Sequence, residues 1–238
     1  MKSSTILFAT LVGASLLIGS SLSASPRAAE ASGAHYLLAA ENLEGWHLGG
    51  FYRYSERELG HRDLSQNKYM LHIGYDLLDW VSVYGLIGSM TMKAKPSPWD
   101  SDTTAEYGGG AWINLLDHDL LNGLNLETKV RLQALGQITA ARPDLEGHSA
   151  SYVEFYSSLT LNLVNELIGN KYYWPEAIGI FGGPVLDKIK SDDFTVTGSK
   201  FGMVAGIDLY LSRATTLSLS YEAFSSDKAF NAAVNIRF

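Results

Sequence analysis

The sequence predicts an all-β protein, a closed antiparallel up-and-down transmembrane β-barrel of about ten strands, with eight to twelve as the range. Three observations predict it. Apolar and polar residues alternate with period 2 in segment after segment from residue 46 onward. The chain combines 13 Tyr, 9 Phe, 5 Trp and 23 Gly with a mean hydropathy of only +0.01. The connections between alternating segments switch between compact and long. Aromatic, glycine-rich and polar on average is a composition for strands, not for a helical membrane bundle.

The N-terminal residues stand apart from this pattern. MKSS supplies Lys2, TILFATLVGASLLIG is an apolar run, and SSLSASPRAAEAS is small and polar. That order predicts a signal peptide over 1–31, cut after Ala24 or after Ala31. Residues 32–44 then form a short periplasmic lead-in and 45–238 the barrel. Past the signal segment no run approaches the ~18 continuous apolar residues of a spanning helix, so any further membrane crossing uses strands.

The strands follow in order. WHLGGFYRY (46–54) sets Trp46, Leu48, Tyr52 and Tyr54 against His47 and Arg53. KYMLHIGYD (68–76) sets Tyr69, Leu71, Ile73 and Tyr75 against Lys68, His72 and Asp76. WVSVYGLIGSM (80–90) and EYGGGAWINLL (106–116) are richer in glycine and less regular. LNLETKVRLQA (124–134) is the cleanest: Leu124, Leu126, Thr128, Val130 and Leu132 oppose Asn125, Glu127, Lys129, Arg131 and Gln133. A helix would scatter those apolar residues around its circumference. SYVEFYSSLTLNLV (151–164) and FGMVAGIDLYL (201–211) alternate in the same way, as does TLSLSYEAF (216–224), with a glycine-rich strand AIGIFGGPVLD between them at 177–187. The last, NAAVNIRF (231–238), sets Phe230, Ala232, Val234, Ile236 and Phe238 toward lipid and Asn231, Ala233, Asn235 and Arg237 toward the lumen.

Compact connections are expected at 77–80, 115–123, 165–174 and 211–214, longer polar ones at 55–67, 93–105, 141–150 and 188–199, and a short exception at 225–228. Trp46, Tyr75, Trp80, Tyr172, Tyr173, Trp174 and Phe238 gather near one rim, and Tyr52, Tyr54, Tyr69, Phe155 and Phe201 toward the other. Two such girdles suit rings held at headgroup level. Period 2 alone does not say which face is inside, so a secreted soluble barrel around an apolar ligand shares it. The near absence of charge from the apolar face over about ten strands, and the alternating connections, favour apolar-out.

The final strand carries a resemblance. It is similar to the last strand of outer-membrane β-barrel proteins of Gram-negative bacteria, which commonly reads polar-x-Gly-x-x-hydrophobic-x-hydrophobic and ends on Phe. Asn231, Ile236 and Phe238 fill the pattern behind Phe230, while Ala233 stands at the Gly position. In size the chain resembles the OmpA, OmpW and omptin barrels, with no subfamily identified. The resemblance implies location in the cell outer membrane, compact turns on the periplasmic side and long loops outside. It also implies as partners outer-membrane lipids and lipopolysaccharide, the barrel assembly machinery and periplasmic chaperones.

Charge and composition restrict function further. A net charge of −7 without a basic run excludes nucleic acid as a partner, and 0 Cys excludes disulfides, thiolate nucleophiles and cysteine-ligated metal. No metal or cofactor is expected. The lumen is expected to hold Arg53, Lys129, Arg131 and Arg237 facing Glu106, Glu127, Glu154, Asp208 and Glu222. That predicts a charge-filled or narrow polar interior and a non-enzymatic structural, surface or small-pore role. The rival class is an outer-membrane hydrolase. Omptin proteases use paired aspartates with an Asp-His couple, and candidates here are Asp100, Asp102, Asp192 and Asp193 with His61 and His148. No Asp-x-His couple stands on that side, since Asp117-His118-Asp119 falls in a turn assigned to the other rim. Lipid A deacylases use a His-Ser pair with an acid, for which His148, Ser149, Ser151 and Glu154 are candidates, but the His-x-Ser spacing fails because residue 150 is Ala.

Overall fold

The computed structural model describes residues 45–59, 62–78, 80–95, 99–121, 127–145, 148–149, 151–166, 175–191, 198–212 and 214–237. The expected signal peptide, the lead-in, Tyr172, Tyr173, Trp174 and Phe238 lie outside them. Ten long strands build the barrel: β1 (Trp46–Leu59), β2 (Arg62–Leu78), β3 (Val81–Lys95), β5 (Thr104–Leu121), β6 (Glu127–Ala141), β9 (Tyr152–Glu166), β10 (Ala177–Ser191), β11 (Gly198–Tyr210), β12 (Thr215–Phe224) and β13 (Lys228–Arg237). Three two-residue pieces decorate it. β4 (Trp99–Asp100) pairs with β3, and β7 (Asp144–Leu145) pairs with β8 (His148–Ser149).

Each long strand pairs antiparallel with its neighbours in sequence, and the ring closes where β1 meets β13, from His47↔Arg237 to Glu56↔Lys228. Closure gives each of the ten long strands a partner on both sides, the condition a sheet must meet in hydrocarbon, where a lone backbone N–H or C=O costs several kcal/mol. The period-2 faces resolve inside out. Leu71, Ile87 and Phe201 point outward at 61%, 66% and 68% exposure, whereas Gln66, Glu106 and Asp187 point inward at 0%, 0% and 1%. This arrangement excludes the soluble barrel with an apolar interior.

Strand pairing runs further than simple alternation predicts. The expected loop 55–67 is mostly ladder, because β1 and β2 stay in register up to Leu59↔Arg62. The segments 93–105, 141–150 and 188–199 also begin or end in strand or short β-pairs. The expected compact turn at 115–123 is corrected most. β5 continues through Leu121, with a register shift between Asn114 and Leu116. An extra residue there resets the alternation, so Asp117 turns into the lumen after Trp112 and Asn114 have done so. Asp117-His118-Asp119 is therefore strand, not turn.

Candidate functional site in the barrel lumen

Inward-facing residues of β1, β2, β5, β9, β10 and β12 meet in a layer of charge across the lumen. Arg53 on β1 donates from Nη1 to Glu154 Oε1 (3.0 Å) and from Nη2 to Asp187 Oδ2 (2.9 Å) and Glu222 Oε2 (2.8 Å). Two residues along the same face, Arg57 donates to Glu154 Oε1 at 3.0 Å and also to Asp187. Lys68, the cross-strand partner of Arg53 on β2, donates to Glu106 Oε1 at 2.7 Å and to Glu154. Three cations thus face four carboxylates, every one of them buried. Tyr152 donates to Glu154 (2.8 Å), Tyr156 donates to Glu222 (3.0 Å) and lies under the Arg53 guanidinium at 4.9 Å, and Asn231 Nδ2 donates to Glu222 (2.8 Å). Buried ions are tolerable only when paired and hydrogen-bonded to this degree. Seven of the ten long strands, β13 through Asn231, contribute to this layer, a septum of charge.

Toward the rim opposite the one where β1 begins and β13 ends, an apolar cluster of Met90, Met92, Ala141, Tyr152 and Ile189, with Leu64 packed against it, lies over the septum. Ser101, next to β4, joins the backbone of Met92 through Met92 N→Ser101 Oγ (2.8 Å) and Ser101 N→Met92 O (2.9 Å).

On the other side of the septum lies a cavity of about 350 Å³, its lining running from Arg53 and Glu222 down to Arg237 and to Ala214 in the β11–β12 turn. One wall is aromatic: Tyr84 and Trp112 lie 4.8 Å apart, and His72 meets Trp112 edge-on at 6.0 Å and 87°. Glycine makes this wall possible. His47 pairs with Gly74 and His72 with Gly49 across β1 and β2. A Cβ on Gly74 would stand 2.1 Å from the His47 ring, and one on Gly49 2.4 Å from the His72 ring. The facing wall is polar. There Asp208 accepts from Ser218, and between the walls Arg131 on β6 donates from Nη2 to Asp117 Oδ2 on β5 at 2.8 Å. Lys129 stands 3.4 Å from Asp117, and Arg237 stands 3.5 Å from Asp76.

Of the expected lumen charges, Arg53, Glu106, Glu154 and Glu222 fall in the septum, while Lys129, Arg131, Asp208 and Arg237 fall below it. Glu127 opens β6, with its side chain outside the described residues. Sequence reasoning missed Arg57, Lys68, Asp187, Asp76 and Asp117. Arg57 was hidden in an expected loop and Asp187 in a glycine-rich strand, and Lys68 stood on a polar face already recognised. A usable signal was the repeated His-x-Gly, HLG at 47–49 and HIG at 72–74, which antiparallel pairing turns into two reciprocal His–Gly contacts. Most of the hydrolase candidates fall outside what the structure describes. His148 lies in β8 with its side chain undescribed, Ser151 precedes β9, and Asp192 and Asp193 lie outside the described residues. In the C-terminal pattern Phe230 and Ile236 face outward, Asn231 and Ala233 inward, and Asn231 is also a septum ligand.

A closed even-numbered antiparallel barrel with an apolar outer face and a charged interior defines the class: an integral β-barrel of the outer-membrane type. No protein-family model matches the chain, and no curated protein does. Among solved structures, the β domain of the Bordetella autotransporter BrkA is similar at a TM-score of 0.47 and 11% identity, covering 83% of this chain and 100% of that one. The translocator domain of the autotransporter NalP from Neisseria meningitidis is similar at 0.43 and 10%, covering 96% and 98%. Neisserial surface protein A gives 0.40 and 12%, covering 83% and 100%.

Proposed function

We propose that this protein is a non-conducting outer-membrane barrel whose role is structural or at the cell surface, contributing envelope integrity or adhesion rather than solute passage. The observation that supports it most is the septum: Arg53, Arg57 and Lys68 locked to Glu106, Glu154, Asp187 and Glu222, with an apolar lid above. A permeating ion would have to displace paired buried charges in a low-dielectric lumen, and each broken pair leaves a costly unpaired charge. In this reading lipid and lipopolysaccharide surround the outer face. The assembly machinery and periplasmic chaperones engage the β13 segment, with its outward Phe230 and Ile236.

Planar-bilayer recording tests the proposal. The wild-type barrel should be silent. A variant with Arg53, Glu154 and Glu222 all changed to Ser removes one cation and two acids, and should show discrete conductance steps. Steps in the wild-type protein would refute the closed lumen and leave the small-pore role in its place.

A further inference from the structure

The cavity beneath the septum has two unlike walls, and that restricts what could fill it. The aromatic wall of Tyr84, Trp112 and His72 offers flat π surface. Across the lumen, Asp208, Ser218 and Thr216 line the cavity, with Asn162 and Arg131 between the two walls. An apolar ligand would cut this half-buried polar wall off from water and leave its spare donors and acceptors unmet. A bare anion would gain nothing from the indole and phenol faces, and a bare cation, which would, meets Arg53, Arg131 and Arg237 in the same lining. A saturated ring edged with hydroxyls satisfies both: its C–H face lies on the rings, and its hydroxyls both donate and accept among amide, hydroxyl, carboxylate and guanidinium groups.

We propose that this cavity binds a single polyhydroxylated ring of pyranose size, a neutral monosaccharide or terminal sugar residue. A volume of about 350 Å³ stands near the lower end of the roughly 300–1,000 Å³ of small-molecule sites, so one ring fits and a chain of rings does not. Neutrality follows from the charges on the page. Lys129 and Arg131 stand against Asp117, Arg237 against Asp76, and Asp208 on the facing wall brings the carboxylates to three against three cations. The direction of approach follows from the septum and its apolar lid, which block the far side. The ligand comes from the rim where β1 begins and β13 ends, toward which the lining extends at Ala214 and Arg237. The inference goes beyond the structural role proposed above: the direction of approach rests on that closed lumen, and binding of the ring does not.

The test uses the folded mature chain in a detergent without a sugar headgroup. Methyl glucopyranoside, N-acetylglucosamine and glucuronic acid serve as probes in saturation-transfer NMR. Saturable transfer to a neutral sugar is expected, weakened at least tenfold by Trp112→Ala. Thr216→Val, nearly isosteric on the opposite wall, should weaken it as well, and covers the case in which Trp112→Ala does not fold. Heat-shifted gel migration certifies folding of each variant. Absence of transfer from both neutral probes to the folded wild type would overturn the proposal. So would transfer to glucuronic acid alone, or transfer unchanged in a folded variant of either wall.

Discussion

Glu154 carries more of the septum than any neighbouring carboxylate, because Arg53, Arg57 and Lys68 all donate to it. Its neutral isostere keeps the shape and removes the charge that three buried cations share. Glu154→Gln should therefore lower unfolding stability by about 3–5 kcal/mol, read by urea unfolding of the detergent- or vesicle-folded barrel. The exposed ion pair between Lys228 and Glu56, at 2.8 Å, supplies the control. Glu56→Gln should leave the unfolding midpoint nearly unchanged, since a solvated pair contributes little. If the two variants unfold alike, the septum is not the stabilising layer described above.

At the scale of the strand, position along the period decides what a substitution does. Val234 on β13 points outward beside Gly50 of β1, whereas its neighbour Asn235 faces the lumen and accepts at 3.3 Å from His72 if that ring nitrogen carries the proton. Val234→Lys places a charge on the outer face at the closing seam and should cost up to about 2–4 kcal/mol. The loss should appear as reduced heat-stable barrel in the membrane fraction, while Asn235→Lys should be milder there. The strands themselves were legible because they follow one simple rule, alternation. TLNLV and NIRF show it openly, and Asn231, Ile236 and Arg237 fall on the faces that rule assigns. What was not legible depends on breaks in the rule. The shift between Asn114 and Leu116 turns Asp117 inward, and no residue type marks that bulge in advance. Strand ends were equally hidden: Arg57 sits in SEREL, whose polarity suits a loop, and only its partner strand keeps it in the ladder.

For the molecule as a whole, the lumen is organised as layers: an apolar lid, a charged septum and a two-walled cavity. Four of the seven septum charges, Arg53, Glu106, Glu154 and Glu222, could be named from sequence, but which would meet depends on the stagger between strands. Arg53 and Asp187 are 134 residues apart in sequence and 2.9 Å apart in space. Barrel closure produces that meeting, and no local pattern encodes it.

The length of the strands has a consequence of its own. β2 has 17 residues and β5 has 18, and at ~3.3 Å per residue with a tilt of about 40° such strands rise some 40 Å, well above a ~25 Å apolar band. The surplus stands outside the lipid as hydrogen-bonded ladder instead of slack chain. To a protease at the cell surface, the hairpin around residues 55–67 is then a poor substrate, since cleavage requires an extended, unpaired backbone. Intact cells treated with trypsin should keep that hairpin uncut despite Arg57 and Arg62, and early cleavage there would show that the collar melts in the living envelope.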